Sequence, residues 1–261
     1  MEQKGKRIAA VEKAIQLMDA FWKERRELSL TELTKITQSP KSSIHITLAT
    51  LMDAALVIQN PNNGKYYLGY HAYELGCAAS EPWDVLPVAG HHMNRVVEQY
   101  GISLYLGKRC GDDIILVKNV EPYNDVLISA PQGGRLPLYG CAQGKCILAQ
   151  LPDAELEHYL KNCQFKSYTM LPPYNPDELR KELLIVRRQG YATSQMLRTG
   201  ARAVGAPIFA RDGSCAYGLA TVCLAKGRLN IENFTRLRDF VIQTAHDITT
   251  ELQGPASWRG I

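Results

Sequence analysis

The sequence predicts a protein of the α+β class that contains two domains. Its 261 residues exceed the roughly 150 residues of an average domain and therefore suggest two. Residues 1–70 combine helical periodicity with a short hairpin signal, whereas residues 83–253 hold several β-like runs with helices at both ends. Such an order is typical of an antiparallel sheet flanked by helices. We expect a linker helix at 71–82 and a tail at 254–261.

The composition is that of an ordinary globular protein, with 46% hydrophobic and 21% charged residues. The sequence shows no apolar run of the ~18 residues that a membrane-spanning helix needs, and its charged start is unlike a secretory signal. We therefore expect a cytoplasmic protein without a membrane partner. The seven cysteines include no Cys-x-x-Cys pair and are expected to be reduced thiols. Through Leu68, ten Lys and Arg outnumber seven Asp and Glu, which is compatible with a nucleic-acid partner.

The first two helices of the N-terminal domain follow from apolar spacing and a capping signal. Apolar residues at helical spacing predict a helix at 8–23. They are Ile8, Val11, Ala14, Ile15, Leu17, Met18 and Phe21. A second helix is predicted after Ser29, because Glu32 three residues later completes a capping box. The inner face of this helix is expected to consist of Leu30, Leu33 and Ile36.

The third helix, at about residues 40–55, presents a small polar face that suits DNA. Pro40 fits its first turn, and Ile44 lies at the centre of the predicted buried face. The N-terminal half carries hydroxyl, imidazole and ammonium groups, which are typical of a recognition helix in the major groove. Its free N–H groups form a site for phosphate. The residues expected to contact DNA are Ser39, Lys41, Ser42, Ser43, His45 and Ile46, together with Lys65 in the hairpin that follows.

A β-hairpin is predicted after the third helix. Two β-prone runs, residues 56–59 and 65–68, flank Asn63-Gly64, a pair that favours a type I′ turn with positive φ at both positions. Helix, helix-turn-helix and hairpin is the order of a winged helix. Two interpretations of such a unit remain open, which are DNA binding and a packing unit used for protein contacts, and the polar third helix favours DNA.

The C-terminal domain is predicted to contain a sheet and several helices. Its helices are expected near residues 83–100, 142–150, 153–160, 176–189 and 231–252. Its strands are expected at residues 102–106, 113–120, 125–129, 203–210 and 215–224. This order agrees with an antiparallel sheet that is covered by helices.

Several motifs resemble those of the IclR family of bacterial transcriptional regulators, over about 250 residues. Pro40, Lys41, Ser42, Ser43, Ile44 and His45 match the element that opens the family's recognition helix. The end of the wing and the linker helix are similar at Gly64, Tyr66, Leu68, Gly69, Leu75 and Gly76. Later matches are Arg135-Leu-Pro-Leu138, Ala142-Gln-Gly144-Lys145, Arg188-Gln-Gly190-Tyr191 and Arg202 with Ala206-Pro207. The resemblance implies a dimer or dimer of dimers that reads a double-stranded DNA operator.

The resemblance also implies a GAF-like C-terminal domain that binds a small-molecule effector and carries oligomer contacts. Carried over by position, the implied pocket residues are Gly140, Cys141, Thr193, Ser194, Ala203, Thr221 and Cys223. On the last strand, either Ala220 and Val222 or Thr221 and Cys223 face the pocket, and the sequence leaves this register open. No cofactor or metal is implied.

Two departures from the family pattern affect these expectations. Ile46 stands where the family often has arginine, and it is open whether it meets a thymine methyl or is simply exposed. Thr193 and Ser194 replace acidic residues, and with Arg198 and Arg202 nearby a carboxylate ligand would meet less repulsion. We therefore expect an organic acid or a related metabolite as the effector.

A catalytic function is not expected, because the sequence contains no nucleophile elbow, phosphate-binding loop or zinc-protease motif. The alternative is a thiol-based redox sensor or a GAF-type reductase that uses Cys141. Its position beside a helix N-terminus favours a lowered thiol pKa, although no base partner is identifiable.

Overall fold

The computed structural model describes residues 8–122, 131–165, 175–196, 201–224 and 231–253. The chain divides into two compact units between Trp83 and Asp84. Among the described residues, no helix combines the length and apolar character needed to cross a membrane.

The N-terminal unit contains four helices and a two-stranded antiparallel wing. Its helices are α1 (Ala9–Glu24), α2 (Leu30–Thr37), α3 (Lys41–Asp53) and α4 (Tyr70–Ser80), and its strands are β1 (Val57–Gln59) and β2 (Tyr66–Leu68). Their core is formed by buried side chains of α1, α2, α3 and the wing, which are Leu17, Ala20, Phe21, Leu28, Leu33, Ile44, Leu48, Leu51, Val57 and Tyr66. This arrangement confirms the predicted helix, helix-turn-helix and hairpin order.

The capping box predicted for α2 is present. The Ser29 hydroxyl accepts a hydrogen bond from the Glu32 backbone N–H, and the Glu32 carboxylate accepts one from the Ser29 backbone N–H at 2.8 Å. These bonds and the nearby Arg26 guanidinium lower the pKa of Glu32 to about 2. The start of the helix-turn-helix is therefore fixed by local chemistry that the sequence reveals.

Four apolar side chains used to predict the first two helices are exposed, and one of them, Ile36, was predicted on the inner face of α2. Ile8, the N-cap residue of α1, is 68% exposed, Val11 and Ile15 on α1 are 52% and 55% exposed, and Ile36 on α2 is 43% exposed. Only the C-terminal half of α1, with Leu17, Ala20 and Phe21, reaches the core. The apolar side chains at the start of α1 are therefore left uncovered within one chain.

The turn between β1 and β2 is not the predicted type I′ turn. Of the predicted pair, only Gly64 has a positive φ, at +69°. The strands pair up to Gln59 and Tyr66, so the connection is longer than two residues. The Asn60 and Asn63 side chains accept hydrogen bonds from the Asn62 and Lys65 backbone N–H groups. These side-chain bonds replace the backbone geometry of a tight turn.

The base of the wing is a close backbone crossing. The Gly69 N–H donates to the Leu56 carbonyl at 2.8 Å, and a Cβ atom on Gly69 would lie 2.1 Å from the Ala55 carbonyl oxygen. Ala55 itself has a φ of +53°. Glycine at position 69 is therefore a steric requirement.

The C-terminal unit consists of a six-stranded antiparallel sheet and five helices among the described residues. The strands are β3 (Leu104–Cys110), β4 (Asp113–Val120), β5 (Arg135–Pro137), β6 (Ala192–Met196), β7 (Ala201–Ile208) and β8 (Tyr217–Leu224). Their order across the sheet is β5-β4-β3-β8-β7-β6. The helices are α5 (Val85–Tyr100), α6 (Ala142–Ala149), α7 (Asp153–Asn162), α8 (Pro176–Gln189) and α9 (Ile231–Gln253).

Helices cover both faces of this sheet. On one face, Gly205 and Gly218 let α6 approach so closely that a Cβ atom on Gly218 would lie 2.8 Å from the Gln143 Cβ. On the other face, α5 and α9 pack against each other and against the sheet. The strand residues that alternate with Gly205 and Gly218 therefore face α5 and α9.

Two strands were missed by the sequence analysis, and one prediction cannot be compared. The strands β5 and β6 lie at the two edges of the sheet, where each pairs on one side only. Edge strands are short or polar, so they lack the apolar run that marks a central strand. The strand predicted at 125–129 falls outside the described residues, as does the tail.

Candidate nucleic-acid interface and effector site

The outer face of α3 carries the predicted DNA-contacting side chains. Ile44 and Leu48 are fully buried in the core, which turns the opposite side of the helix to solvent. Lys41, Ser42, His45 and Ile46 are exposed there, and Ser43 is half-buried. Since a helix buried on one face presents its other face as a ridge, the first two turns of α3 are available to a groove of DNA.

The N-terminus of α3 has no side-chain cap among the described residues. Pro40 occupies the cap position and lacks a suitable acceptor, and the Ser39 hydroxyl donates instead to the Thr37 carbonyl at 3.3 Å. The neighbouring helix α2 has the full capping box, so the two helices of the helix-turn-helix differ at their N-termini. An uncapped N-terminus leaves first-turn N–H groups for an anion.

One residue at this surface was missed by the sequence analysis. The Lys13 ammonium, on α1, donates a hydrogen bond to the Ser43 hydroxyl. This bond brings a second cation to the N-terminus of α3, beside the predicted Lys41. The helical spacing of α1 does not reveal it, because Lys13 lies in a mixed sequence whose facing depends on tertiary packing.

Lys65 lies on the wing, and a carboxylate holds the loop that precedes it. Glu27 accepts hydrogen bonds from the Asn63 side chain at 2.7 Å and from the Asn60 side chain at 2.8 Å. The bond from Asn63, followed by the one from Asn60, lowers the pKa of Glu27. The carboxylate stays charged near neutral pH and fixes the loop, and Lys65, which is half-buried, lies close enough to lower the pKa of Glu27 as well.

The predicted effector residues divide between the two faces of the C-terminal sheet. Ser194 pairs with Ala203, and Ala203 pairs with Val222, on the face that Gly205 and α6 define. Cys141 is the N-cap residue of α6 and follows the 3-10 turn that contains Gly140. These positions share the α6 face of the unit.

Thr193 and Thr221 lie on the opposite face by strand alternation. The Thr221 hydroxyl is buried and donates to the Ser103 carbonyl at 2.7 Å. The Thr193 backbone carbonyl accepts a hydrogen bond from Lys145 at 3.3 Å, while its side chain is exposed. The register that the sequence left open therefore places Ala220 and Val222, rather than Thr221, on the α6 face.

Cys223, Arg202 and Arg198 are the remaining residues that were expected near the effector. Cys223 pairs with Arg202 in the ladder, and its side chain falls outside the described set. Arg202 is exposed and alternates with Ala203, so it does not share the α6 face, and Arg198 lies outside the described residues. Arg202 therefore lies away from the α6 face, and the expectation for Arg198 stays a prediction.

Burial, rather than the helix N-terminus, controls the Cys141 thiol. Removal from water raises the pKa of Cys141 to about 12, and the hydrogen bond from the Gly144 N–H lowers it only in part. The thiol donates to the Pro137 carbonyl at 3.6 Å. The prediction of a lowered Cys141 pKa, on which the redox alternative rested, is therefore wrong, because the cost of desolvating a thiolate outweighs one backbone hydrogen bond.

A buried ion pair holds the edge strand that carries Ser194. The Lys145 side chain is 3% exposed, and its ammonium lies 2.7 Å from the Glu182 carboxylate of α8. The same ammonium donates to the Thr193 carbonyl of β6. One side chain therefore links α6, α8 and β6. Elsewhere in the described part of the chain, no group of three His, Cys, Asp or Glu residues is placed to hold a metal.

Comparisons with known proteins agree with this architecture. The profile of the IclR helix-turn-helix domain matches residues 10–61. The profile of the bacterial transcriptional regulator IclR C-terminal domain matches residues 77–250, about two thirds of the chain. The chain belongs to the IclR family. The resemblance inferred from its motifs is confirmed, and so is its fold class.

The IclR-family relatives cover nearly the whole chain. This chain is 28% identical over 250 residues to the HTH-type transcriptional regulator XynR of Escherichia coli, and the match covers 95% of this chain and 99% of XynR. It is also 27% identical over 251 residues to the HTH-type transcriptional repressor AllR of the same species, and that match covers 96% of this chain and 92% of AllR. The chain is therefore a helix-turn-helix transcriptional regulator.

Solved structures of IclR proteins share the fold. The Thermotoga maritima IclR structure has a TM-score of 0.76 and 25% identity, and the match covers 93% of this chain and 98% of that one. An IclR homologue from Microbacterium hydrocarbonoxydans, solved in complex with 4-hydroxybenzoate, has a TM-score of 0.80 and covers 94% and 99%. At 19% identity, this second structure supports the fold alone.

Proposed function

We propose that this IclR-family regulator binds a DNA operator through α3 and the wing, and that a small organic acid in the C-terminal unit modulates that binding. The observation that carries the DNA-binding part is the uncapped N-terminus of α3, with Lys13, Lys41 and Ser42 gathered around it. Such an end supplies N–H donors and positive charge where a phosphate of the operator would lie.

The residues of α3 divide into two roles. Ser39, Lys41, Ser42 and Ser43, with Lys13, are placed at the helix end and serve the phosphate backbone. Backbone contacts of this kind fix the register of the helix but carry little sequence information. His45 and Ile46 lie further along the outer face and serve the base edges. Lys65 on the wing is assigned to a neighbouring phosphate.

The proposed regulator is tested with DNA from upstream of its own gene. We expect the full-length protein to bind that DNA more tightly than a scrambled competitor. Ser42→Ala combined with Ser43→Ala should weaken binding about tenfold or more, because two hydroxyl contacts to phosphate are lost. Ser214→Ala, an exposed serine of the other unit, serves as the control. Unchanged affinity in the double variant would contradict the proposal.

The effector site is proposed on the α6 face, near Cys141, Ser194, Ala203 and Val222. This set contains small and apolar side chains, and none of the four is acidic, so these side chains themselves do not repel an acidic ligand. The complex of a homologue with 4-hydroxybenzoate supports an organic acid as the ligand class. Thr193, Thr221 and Cys223 are withdrawn from the proposed lining.

Adjacent residues of β6 give a matched test of this face. We expect Ser194→Asp to abolish the effect of small aromatic carboxylates on operator binding, because it places a charge beside the ligand. Thr193→Asp, on the opposite face of the same strand, should leave the effect intact. Equal losses in both variants, measured by calorimetry and operator release, would reject the α6 face as the site.

The regulator is further proposed to act in the cytoplasm and without a catalytic activity of its own. The relatives are transcriptional regulators, and the raised pKa of Cys141 does not favour thiolate chemistry.

A further inference from the structure

The outer face of α3 contains one large apolar side chain among polar ones. Ile46 is 68% exposed, although Ile44 and Leu48 of the same helix are fully buried. Ile46 therefore contributes nothing to the core of the N-terminal unit. Its neighbours on the outer face are Ser42, one turn before it, and Ala49, one turn after it.

Three hydroxyl groups near Ile46, those of Ser43, Thr47 and Thr50, are engaged within the protein. Thr47 donates to the Ser43 carbonyl at 2.9 Å, and Thr50 donates to the Ile46 carbonyl at 3.2 Å. The Ser43 hydroxyl accepts the Lys13 ammonium. Hydroxyls turned back onto their own helix do not reach a base edge, so the middle of the outer face offers methyl groups rather than hydrogen-bond donors.

In the major groove, each base pair presents a distinct pattern, and thymine alone presents a methyl group. A purine edge requires a donor or acceptor from the protein, which the Ile46 side chain does not provide. An apolar side chain gains most from an apolar partner, and water is removed from both surfaces when they meet.

We propose that Ile46 selects an A·T base pair in each half-site by packing against the C5 methyl group of thymine. This inference rests on the proposed operator binding and adds the chemistry of one position within it. His45, the residue before Ile46, remains the polar reader of a flanking base pair.

The experiment begins with selection of bound sequences from random double-stranded DNA by the full-length protein. In the selected operator, each thymine is then replaced in turn by deoxyuridine, which lacks only the C5 methyl group. The wild-type protein should lose about threefold to fivefold in affinity at one symmetric pair of positions, the order expected for burying one methyl group. Ile46→Ala should bind more weakly and show no loss at those positions.

Thr50→Ser is the matched control, because it removes one methyl group from a nearby position and retains the hydroxyl bond. It should keep the full deoxyuridine loss. If wild type binds the selected operator but no replacement changes its affinity, the inference is overturned and the proposed function stands. The same holds if Ile46→Ala shows the wild-type loss. Failure to enrich any sequence would overturn both.

Discussion

At the scale of single residues, hydrogen bonding decides which hydroxyls of α3 are available to DNA. The hydroxyls of Thr47 and Thr50 donate hydrogen bonds to carbonyls of the same helix, whereas Ser42 is exposed at the uncapped end of α3. Ser43 is intermediate, because its hydroxyl accepts a bond from Lys13 and keeps its own proton to donate. The position of a serine or threonine along a helix thus separates ligand contacts from internal bonds.

Thiol burial provides a prediction at the same scale. Cys110 is exposed and Cys141 is buried with a pKa of about 12. Since the thiolate is the reactive form, iodoacetamide at pH 7.5 should modify Cys110 in native protein well before Cys141. Cys141 should react at a comparable rate only after denaturation. The measurement is peptide mass spectrometry over time, and rapid native labelling of Cys141 would restore the redox alternative.

At the scale of elements, the wing depends on a strained residue at the end of α3. Ala55 has a φ of +53°, in the left-handed region where glycine is favoured. Its carbonyl accepts a hydrogen bond from the His71 N–H at 3.2 Å, and Gly69 passes directly against it. Ala55 keeps this strained conformation because Gly69, at the base of the wing, packs against it and His71 of α4 is hydrogen-bonded to its carbonyl.

Replacing Ala55 should therefore stabilise the N-terminal unit. The left-handed conformation costs alanine about 1–2 kcal/mol, which outweighs the roughly 0.4–1 kcal/mol that glycine loses through its more flexible unfolded state. We expect Ala55→Gly to raise the free energy of unfolding by about 0.5–1 kcal/mol. Ala54→Gly, at a φ of −85°, should lower it by a similar amount. Urea denaturation distinguishes the two, and destabilisation by both would refute the strain argument.

Which elements the sequence reveals depends on where their determinants lie. The start of α2 follows from Ser29 and Glu32, which are three residues apart, so local chemistry suffices. The strand β6 and the contact between Lys13 and Ser43 depend on partners that are distant in the chain. The same dependence on distant partners explains why the sequence alone did not show which way Thr221 faces. The packing of Gly218 on Gln143 decides which face of β8 meets α6. Family motifs supplied the residues of the proposed pocket, and pairing registers were needed to decide which of them share one face of the sheet.

At the scale of the whole molecule, the N-terminal unit carries apolar surface that one chain leaves uncovered. Ile8, Val11 and Ile15 form an exposed stripe on α1. All eleven residues of α4 are described and none is buried, although Tyr70 and Tyr73 are large aromatic side chains. An isolated helix of this length is marginal in water. We propose that a second copy of the chain covers both helices, which gives the homodimer that a two-fold operator requires.

Charges placed on this surface should separate the copies. We expect Ile15→Glu combined with Tyr73→Glu to halve the mass of the assembled particle, whether the wild type is a dimer or a dimer of dimers. Ile46→Glu, at an equally exposed position on the DNA face, should leave the mass unchanged. Sedimentation velocity at micromolar concentration measures the outcome, and a monomeric wild type or an unaltered double variant would contradict the proposal.

The central claim is that α3 and the wing bind the phosphate backbone and bases of an operator, and the salt dependence of affinity tests it most directly. Affinity for the upstream DNA is measured across a series of salt concentrations for wild type, Lys41→Gln and Lys13→Gln. Each lysine that neutralises a phosphate should lower the slope of log affinity against log salt by about 0.9 when it is removed. A shallow wild-type slope, or one that neither variant changes, would contradict the claim and leave the winged helix as a surface for protein contacts.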